Sequence, residues 1–241
     1  MTPARVQSLA DGTASILLSY AAHGLATSAI EGMGEITLRD GLVVAAAAAG
    51  AQARQAWILD REVLPEEWTD SAVDLVISRH GNQGSIAKVG GIELKWWRQT
   101  DPGNAANRRR DLIKDFIRAA SLYTLVEEFS FVALLSTAGS WTSTASTKAS
   151  DNPAMTKLAA SGSQNWNLQN MIGCSAVKGA VRALNGRVPM PNIFHTELLS
   201  DQSISNATGL AAFSKVWAVR KPQNTRMLQQ PEIDHLLAEN N

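Results

Sequence analysis

Asp74, Glu93 and Lys95 combine the residue types that metal-assisted chemistry uses: two carboxylates that can hold a hard cation and an ammonium that can sit beside it. Each interrupts a run that is otherwise apolar, Val73-Asp74-Leu75-Val76-Ile77 and Gly91-Ile92-Glu93-Leu94-Lys95-Trp96. β-Branched and aliphatic residues favour extended strands, and Gly81-Asn82-Gln83-Gly84 and Gly90-Gly91 supply turn signals between them. Side chains alternate across a strand, so Glu93 and Lys95 share one face while Ile92, Leu94 and Trp96 take the other. Antiparallel pairing of the two runs brings Asp74 to the polar face. Carboxylates converging on an apolar sheet are costly to desolvate unless something compensates. A divalent cation held by Asp74 and Glu93, with Lys95 beside it, is that compensation.

The flanking sequence predicts the elements that position these groups. Leu42 to Trp57 is Ala-rich and reads as a helix packed closely on the sheet. Trp57 to Leu64 reads as a strand closed by Pro65, which gives a three-strand meander after the helix. Asp101-Pro102-Gly103-Asn104 breaks the chain. From about Asn107 to Glu128 a helix follows, with Leu112, Ile113, Phe116, Ile117, Ala120 and Tyr123 on one side. Arg110, Lys114 and Arg118 form a stripe away from that apolar side, with Asp111 and Asp115 beside it. Its first reading is a solvated, ion-paired face; the other has Arg108, Arg109 and Lys114 near the helix start holding DNA phosphates. Phe129 to Ser136 reads as a buried strand, parallel to an earlier one because a helix precedes it.

Outside this region, about Gly12 to Ile30 reads as a helix. Thr137 to Ser163 is rich in Ser, Thr, Ala and Gly and reads as a surface loop, within which Trp141 and Lys148 suit contact with nucleic acid. Gln164 to Leu184 reads as a helix, Phe194 to Leu199 and Phe213 to Val219 as strands, and the stretch from Pro231 as a short polar helix or disordered end. Cys174 reads as a small core residue. The expected organisation is an N-terminal helical segment (1–41), a core (42–137) and a C-terminal α+β extension (138–241) packed on the core.

An Asp in one strand followed by Glu-x-Lys in the next resembles the PD-(D/E)xK phosphodiesterase superfamily of metal-dependent nucleases, over roughly Leu42 to Thr137. The resemblance implies an α/β fold with a restriction-endonuclease-like core: helix, three-strand meander, helix, strand. It also implies Mg²⁺ as cofactor, with Mn²⁺ as a substitute, held by Asp74, Glu93 and the backbone carbonyl of Leu94. Lys95 would then orient or help deprotonate the attacking water and steady the phosphate. Many members carry an acid on the first core helix; none lies between Leu42 and Trp57, where Gln52 is the nearest polar residue. Glu62 on the following strand, or Glu31 or Glu35 upstream, are the substitutes. The implied activity is a DNA endonuclease, in restriction or anti-phage defence, acting as a homodimer and perhaps directed by a targeting subunit. A nucleic-acid-binding or assembly module without catalysis, motivated by the missing helix acid, and an RNA- or structure-specific nuclease are the alternatives.

Composition narrows the field. The 241 residues are enough for a substantial core, and 22 basic against 22 acidic residues leave no overall basic signal. The single cysteine excludes an intrachain disulfide and a Cys-rich zinc site and suits a cytoplasmic setting. No apolar run is long enough to span a bilayer, so no membrane partner is expected. His23, His80, His195 and His235 lack metal-ligand spacing, and Gly90-Gly91 is too short for a dinucleotide fingerprint.

Overall fold

The computed structural model describes residues 2–81, 84–98, 104–145, 151–207 and 209–238. It is an α/β fold built on one mixed sheet of seven strands. In chain order the main elements are helices α1 (Pro3–Ala26) and α2 (Glu35–Gln52), strands β1 (Trp57–Val63), β2 (Val73–His80) and β3 (Ile86–Trp97), helix α3 (Ala105–Leu122) and strand β4 (Phe129–Thr137). Helices α4 (Ala138–Ala145) and α5 (Asn152–Ala159), strand β5 (Ser163–Asn167), helices α6 (Leu168–Met171) and α7 (Ser175–Leu184), strands β6 (Ile193–Asn206) and β7 (Gly209–Arg220) and helix α8 (Gln230–Ala238) follow. The sheet order is β1-β2-β3-β4-β7-β6-β5. The β3–β4 pair is parallel, as a crossover through α3 requires, and the other pairs are antiparallel.

Each face of the sheet buries its own core. One, beneath α1 and α2, collects Leu75, Ile77, Ile92, Leu94, Trp96, Phe131 and Ala133 with Leu17, Leu38 and Leu42. The other, beneath α3 and α7, collects Trp97, Val132 and Leu134 with Phe116, Ile117, Val177 and Val181. Period-two alternation in β3 and β4 assigns residues to the two cores, and it leaves Glu93 and Lys95 on the α3 side.

Several sequence expectations are corrected. Helix α2 begins at Glu35, seven residues before Leu42, and crosses the expected boundary at 41/42. Asp40-Gly41 reads as a turn, but Gly41 lies inside the helix against Tyr20: a Cβ there would stand 2.9 Å from the ring. The glycine is a close helix–helix contact, and that packing overrides the local turn preference. Gly90-Gly91 is likewise strand, not turn. A Cβ on Gly90 would meet the Phe129 ring at 2.4 Å and one on Gly91 would meet Leu122 at 2.4 Å.

Helix α1 starts nine residues before Gly12 and ends at Ala26, and α3 stops at Leu122 rather than Glu128. The Ser/Thr-rich stretch expected as loop contains α4 and α5, where Ser140 and Thr144 are buried and Trp141 stacks on Trp97 at 5.9 Å; Lys148 lies outside the described residues. The helix expected over Gln164–Leu184 is strand β5, then α6 and α7. Trp166 forces the strand: its ring stacks on Phe194 at 5.6 Å and its Nε1 donates to Thr196 at 3.0 Å, both on the paired strand β6. Strand β7 pairs with β4, so the C-terminal strands continue the same sheet.

Candidate active site

The β2–β3 register pairs Leu75 with Ile92. One residue further along each strand, Asp74 and Glu93 face each other where β2 ends, and Lys95 extends past that end. The strand neighbour of Asp74 on the other side is Glu62, since β1 pairs Val63 with Val73 and Arg61 with Leu75. Glu62 has φ 54°, a left-handed conformation that costs a non-glycine residue about 1–2 kcal/mol.

Two helices close over this sheet end. From α2, Arg39 Nε donates to Asp74 Oδ1 at 2.6 Å and its Nη1 donates to Glu62 at 2.6 Å. The other oxygen of Asp74 accepts the backbone N–H of Leu94 at 2.7 Å. Glu35, in the first turn of the same helix, accepts the N–H of Trp96 at 3.1 Å and stands 3.7 Å from Lys95 Nζ. From α3, Asp115 stands 3.3 Å from Lys95 Nζ and accepts from Arg118 Nη1 at 3.2 Å. Arg118 Nη2 lies 3.1 Å from Glu93 Oε1 and also donates to the carbonyls of Ser71 and Ala72, fixing the approach to Asp74.

Electrostatics follow from this crowding. Glu93 is fully buried, and burial pushes its carboxyl well above the usual range; Arg118 opposes the shift, while Asp74 and Asp115 add to it. Arg118 is near Glu93 but not aligned to it, and neither oxygen of Glu93 accepts a hydrogen bond. Lys95 is pushed the other way. Asp115 first, then Glu35 and Asp74, hold its ammonium above the ordinary lysine value against the cost of burial. Lys95 is therefore a cation at neutral pH.

Four carboxylates, Glu35, Asp74, Glu93 and Asp115, thus meet three cations, Arg39, Lys95 and Arg118. The excess of negative charge and the two unbonded, buried oxygens of Glu93 fit a hard divalent cation. Among the described residues no three His, Cys, Asp or Glu side chains are grouped so as to hold a metal alone. Mg²⁺ commonly uses only one or two carboxylates and keeps several waters, which suits Asp74 and Glu93 with the Leu94 carbonyl as the expected donors.

The remaining expected residues are not all brought here. Gln52, at the last turn of α2, lies about 25 Å along the helix from Glu35 and lines a separate pocket with Arg5 and Trp57. The first-helix acid is Glu35, hidden because the helix start was read too late. Glu62 joins the site only through Arg39, and the side chain of Glu31 lies outside the described residues. Arg109 is corrected: it is buried, pairs with Asp151 at 3.2 Å and donates to the Thr144 carbonyl at 3.0 Å, tying α3 to α4 and to the residue before α5. Lys114 is partly exposed, 4.0 Å from Asp111. Arg108 lines a cavity of about 320 Å³ beside Lys95 and Glu35.

Arg39, Asp115 and Arg118 were not foreseen. Asp115 and Arg118 read as part of a solvated stripe, yet both are buried. A charged i, i+3 pair looks the same in sequence on either face of a helix, and only the strand charges at 93 and 95 hint at what it must meet.

Comparison of the chain with protein-family models, curated proteins and solved structures finds no match.

Proposed function

We propose that the chain is a Mg²⁺-dependent DNA endonuclease of the PD-(D/E)xK kind, with Asp74, Glu93 and Lys95 as its catalytic residues. The observation that carries the reading is the convergence of Asp74, Glu93 and Lys95 at one sheet end, joined by Glu35 from α2. The element order α2-β1-β2-β3-α3-β4 also agrees with the restriction-endonuclease-like core. Glu35 removes the reason for preferring a catalytically inactive module, since the first helix does carry an acid.

Asp74, Glu93 and the Leu94 carbonyl would hold the ion, which when bound polarises the phosphate and makes water a better nucleophile. The chain's own groups then divide the rest. Lys95, kept protonated by Asp115, donates to a phosphate oxygen and offsets the charge that builds as water bonds to phosphorus and the P–O ester bond breaks. Glu35 is the most exposed of the four acids, its side chain 34% accessible against 12% for Asp74, and borders the cavity where water enters; it takes the water's proton. Arg118 holds Glu93 and the Ser71–Ala72 backbone in place. Asp115 positions Lys95.

The test is plasmid cleavage in Mg²⁺ and in EDTA by the wild type, Asp74→Ala and Lys95→Ala. Cutting by the wild type in Mg²⁺ alone, lost in both variants, supports the reading. Equal cutting by all three assigns the activity to a contaminant and defeats it. Duplex, RNA and branched substrates compared in the same assay decide between the DNA reading and an RNA- or structure-specific one. Among the described residues no helix is long and apolar enough to cross a membrane.

A further inference from the structure

Beside Lys95 the sheet end opens into a cavity of about 320 Å³, lined by Glu35, Lys95 and Asp111 together with Trp96, Trp97, Arg98, Asn104, Asn107 and Arg108. Its walls are fixed. Arg98 Nη1 and Trp96 Nε1 both donate to the Met33 carbonyl, at 2.8 and 3.0 Å, which anchors the end of β3 to the entry of α2. The opposite wall is one face of α3: Asn107, Arg108 and Asp111, then Asp115 and Arg118, recur at helical spacing and run from the cavity to Lys95 and Glu93. Cavity and catalytic groups therefore lie on one continuous track.

Resting on the nuclease reading, we propose that this cavity is a subsite for one unpaired nucleotide flanking the cleaved phosphate, so that the substrate is DNA with a single-stranded or displaced nucleotide at that point. Its size, at the small end of small-molecule sites, takes one nucleotide and not a base pair. The wall chemistry matches such a guest. Arg98 is bonded to a neutral carbonyl and pairs with no carboxylate among the described residues, so its charge is available to a phosphate. Asp111, by contrast, is already paired with Arg110 at 2.9 Å. Asn107 is exposed and offers both donor and acceptor to a base edge. Trp97 Nε1 is buried without a partner on the same wall. A nucleotide within an intact duplex is stacked and paired and reaches such a recess only by leaving the stack.

The experiment measures fluorescence anisotropy of labelled DNA with the cleavage-deficient Asp74→Asn protein, comparing a blunt duplex with the same duplex carrying a short internal bubble. The proposal expects the bubble to bind about tenfold tighter, an amount set by the stacking and contacts of one base. Asn107→Ala and Arg98→Ala should each shrink that preference several-fold. Arg98→Ala should also lower the slope of log affinity against log salt by about one. Arg220→Ala, an exposed cation at the far end of β7, should leave the preference unchanged. Circular dichroism melts confirm that each variant folds. Equal affinity for both DNAs, or a preference untouched by Asn107→Ala and Arg98→Ala, overturns the subsite; Mg²⁺-dependent cutting by the wild type would then still stand. Absence of DNA binding together with absence of Mg²⁺-dependent cutting defeats both readings.

Discussion

Replacing Asp115 with Asn tests the electrostatic design of the site most sharply, because it keeps the shape and removes one charge. The Asp115 carboxylate is 1% exposed and faces Lys95 Nζ at 3.3 Å and Arg118 Nη1 at 3.2 Å. At an effective dielectric of about 20, each contact is worth roughly 5 kcal/mol of gross attraction. Most of that is offset by the cost of burying the carboxylate, which the variant no longer bears. Removing one partner of a buried pair typically costs about 3–5 kcal/mol, since the remaining charges stay buried. Here Lys95 keeps Glu35 at 3.7 Å and Arg118 keeps Glu93 at 3.1 Å, so the lower end applies, about 3 kcal/mol. With a urea m-value of about 3 kcal/mol/M, the midpoint should fall by about 1 M.

The same substitution has a kinetic signature. Asp115 is the largest influence raising the Lys95 pKa, so in Asp115→Asn the ammonium deprotonates at lower pH than in the wild type. Activity that needs the ammonium should then be lost at lower pH on the alkaline side of the pH–rate profile. A stability loss under about 1 kcal/mol, the scale of exposed pairs, with an unmoved alkaline limb, would refute the account of Lys95.

Glu93 gives the pH dependence of the metal-free fold. Its folded pKa is raised, so its contribution is fully present below the unfolded glutamate pKa and is lost as pH rises through the folded value. In EDTA, thermal stability should fall with rising pH above the usual glutamate range, and Glu93→Gln should flatten that fall in parallel melts. Gly91→Ala places a Cβ 2.4 Å from Leu122 Cδ2; overpacking of this kind should cost about 1–3 kcal/mol in urea denaturation. Arg109→Ala leaves the Asp151 carboxylate buried beside only Ser175 and the Ala176 N–H. It should cost about 3–5 kcal/mol of stability while leaving the salt slope of DNA binding unchanged in an anisotropy titration.

The β2–β3 pairing was legible because apolar alternation fixes faces, and the charges at 74, 93 and 95 break that alternation on one side only. The helix–strand crossover into β4 followed from Phe129 to Ser136 being continuously apolar. What failed were the places where small residues serve packing. Gly41 and Gly90-Gly91 read as turns because glycine permits them, yet each is a point where a ring or a leucine presses on the backbone. That error moved the start of α2 past Glu35 and so concealed the helix acid. Trp166 shows the converse: a polar pentapeptide became a strand because one indole stacks across β6. The roles of Arg39 and Arg118 depend on which strand each helix crosses, a non-local fact with no local signature.

The central claim is that Asp74 and Glu93 share a divalent ion. A crystal soaked in Mn²⁺ and measured for anomalous scattering tests it directly. The account predicts one strong peak bonded to an oxygen of each carboxylate and to the Leu94 carbonyl, with Arg39 drawn off Asp74 Oδ1. No peak there, with Arg39 still on Asp74 and Arg118 still beside Glu93, would contradict it.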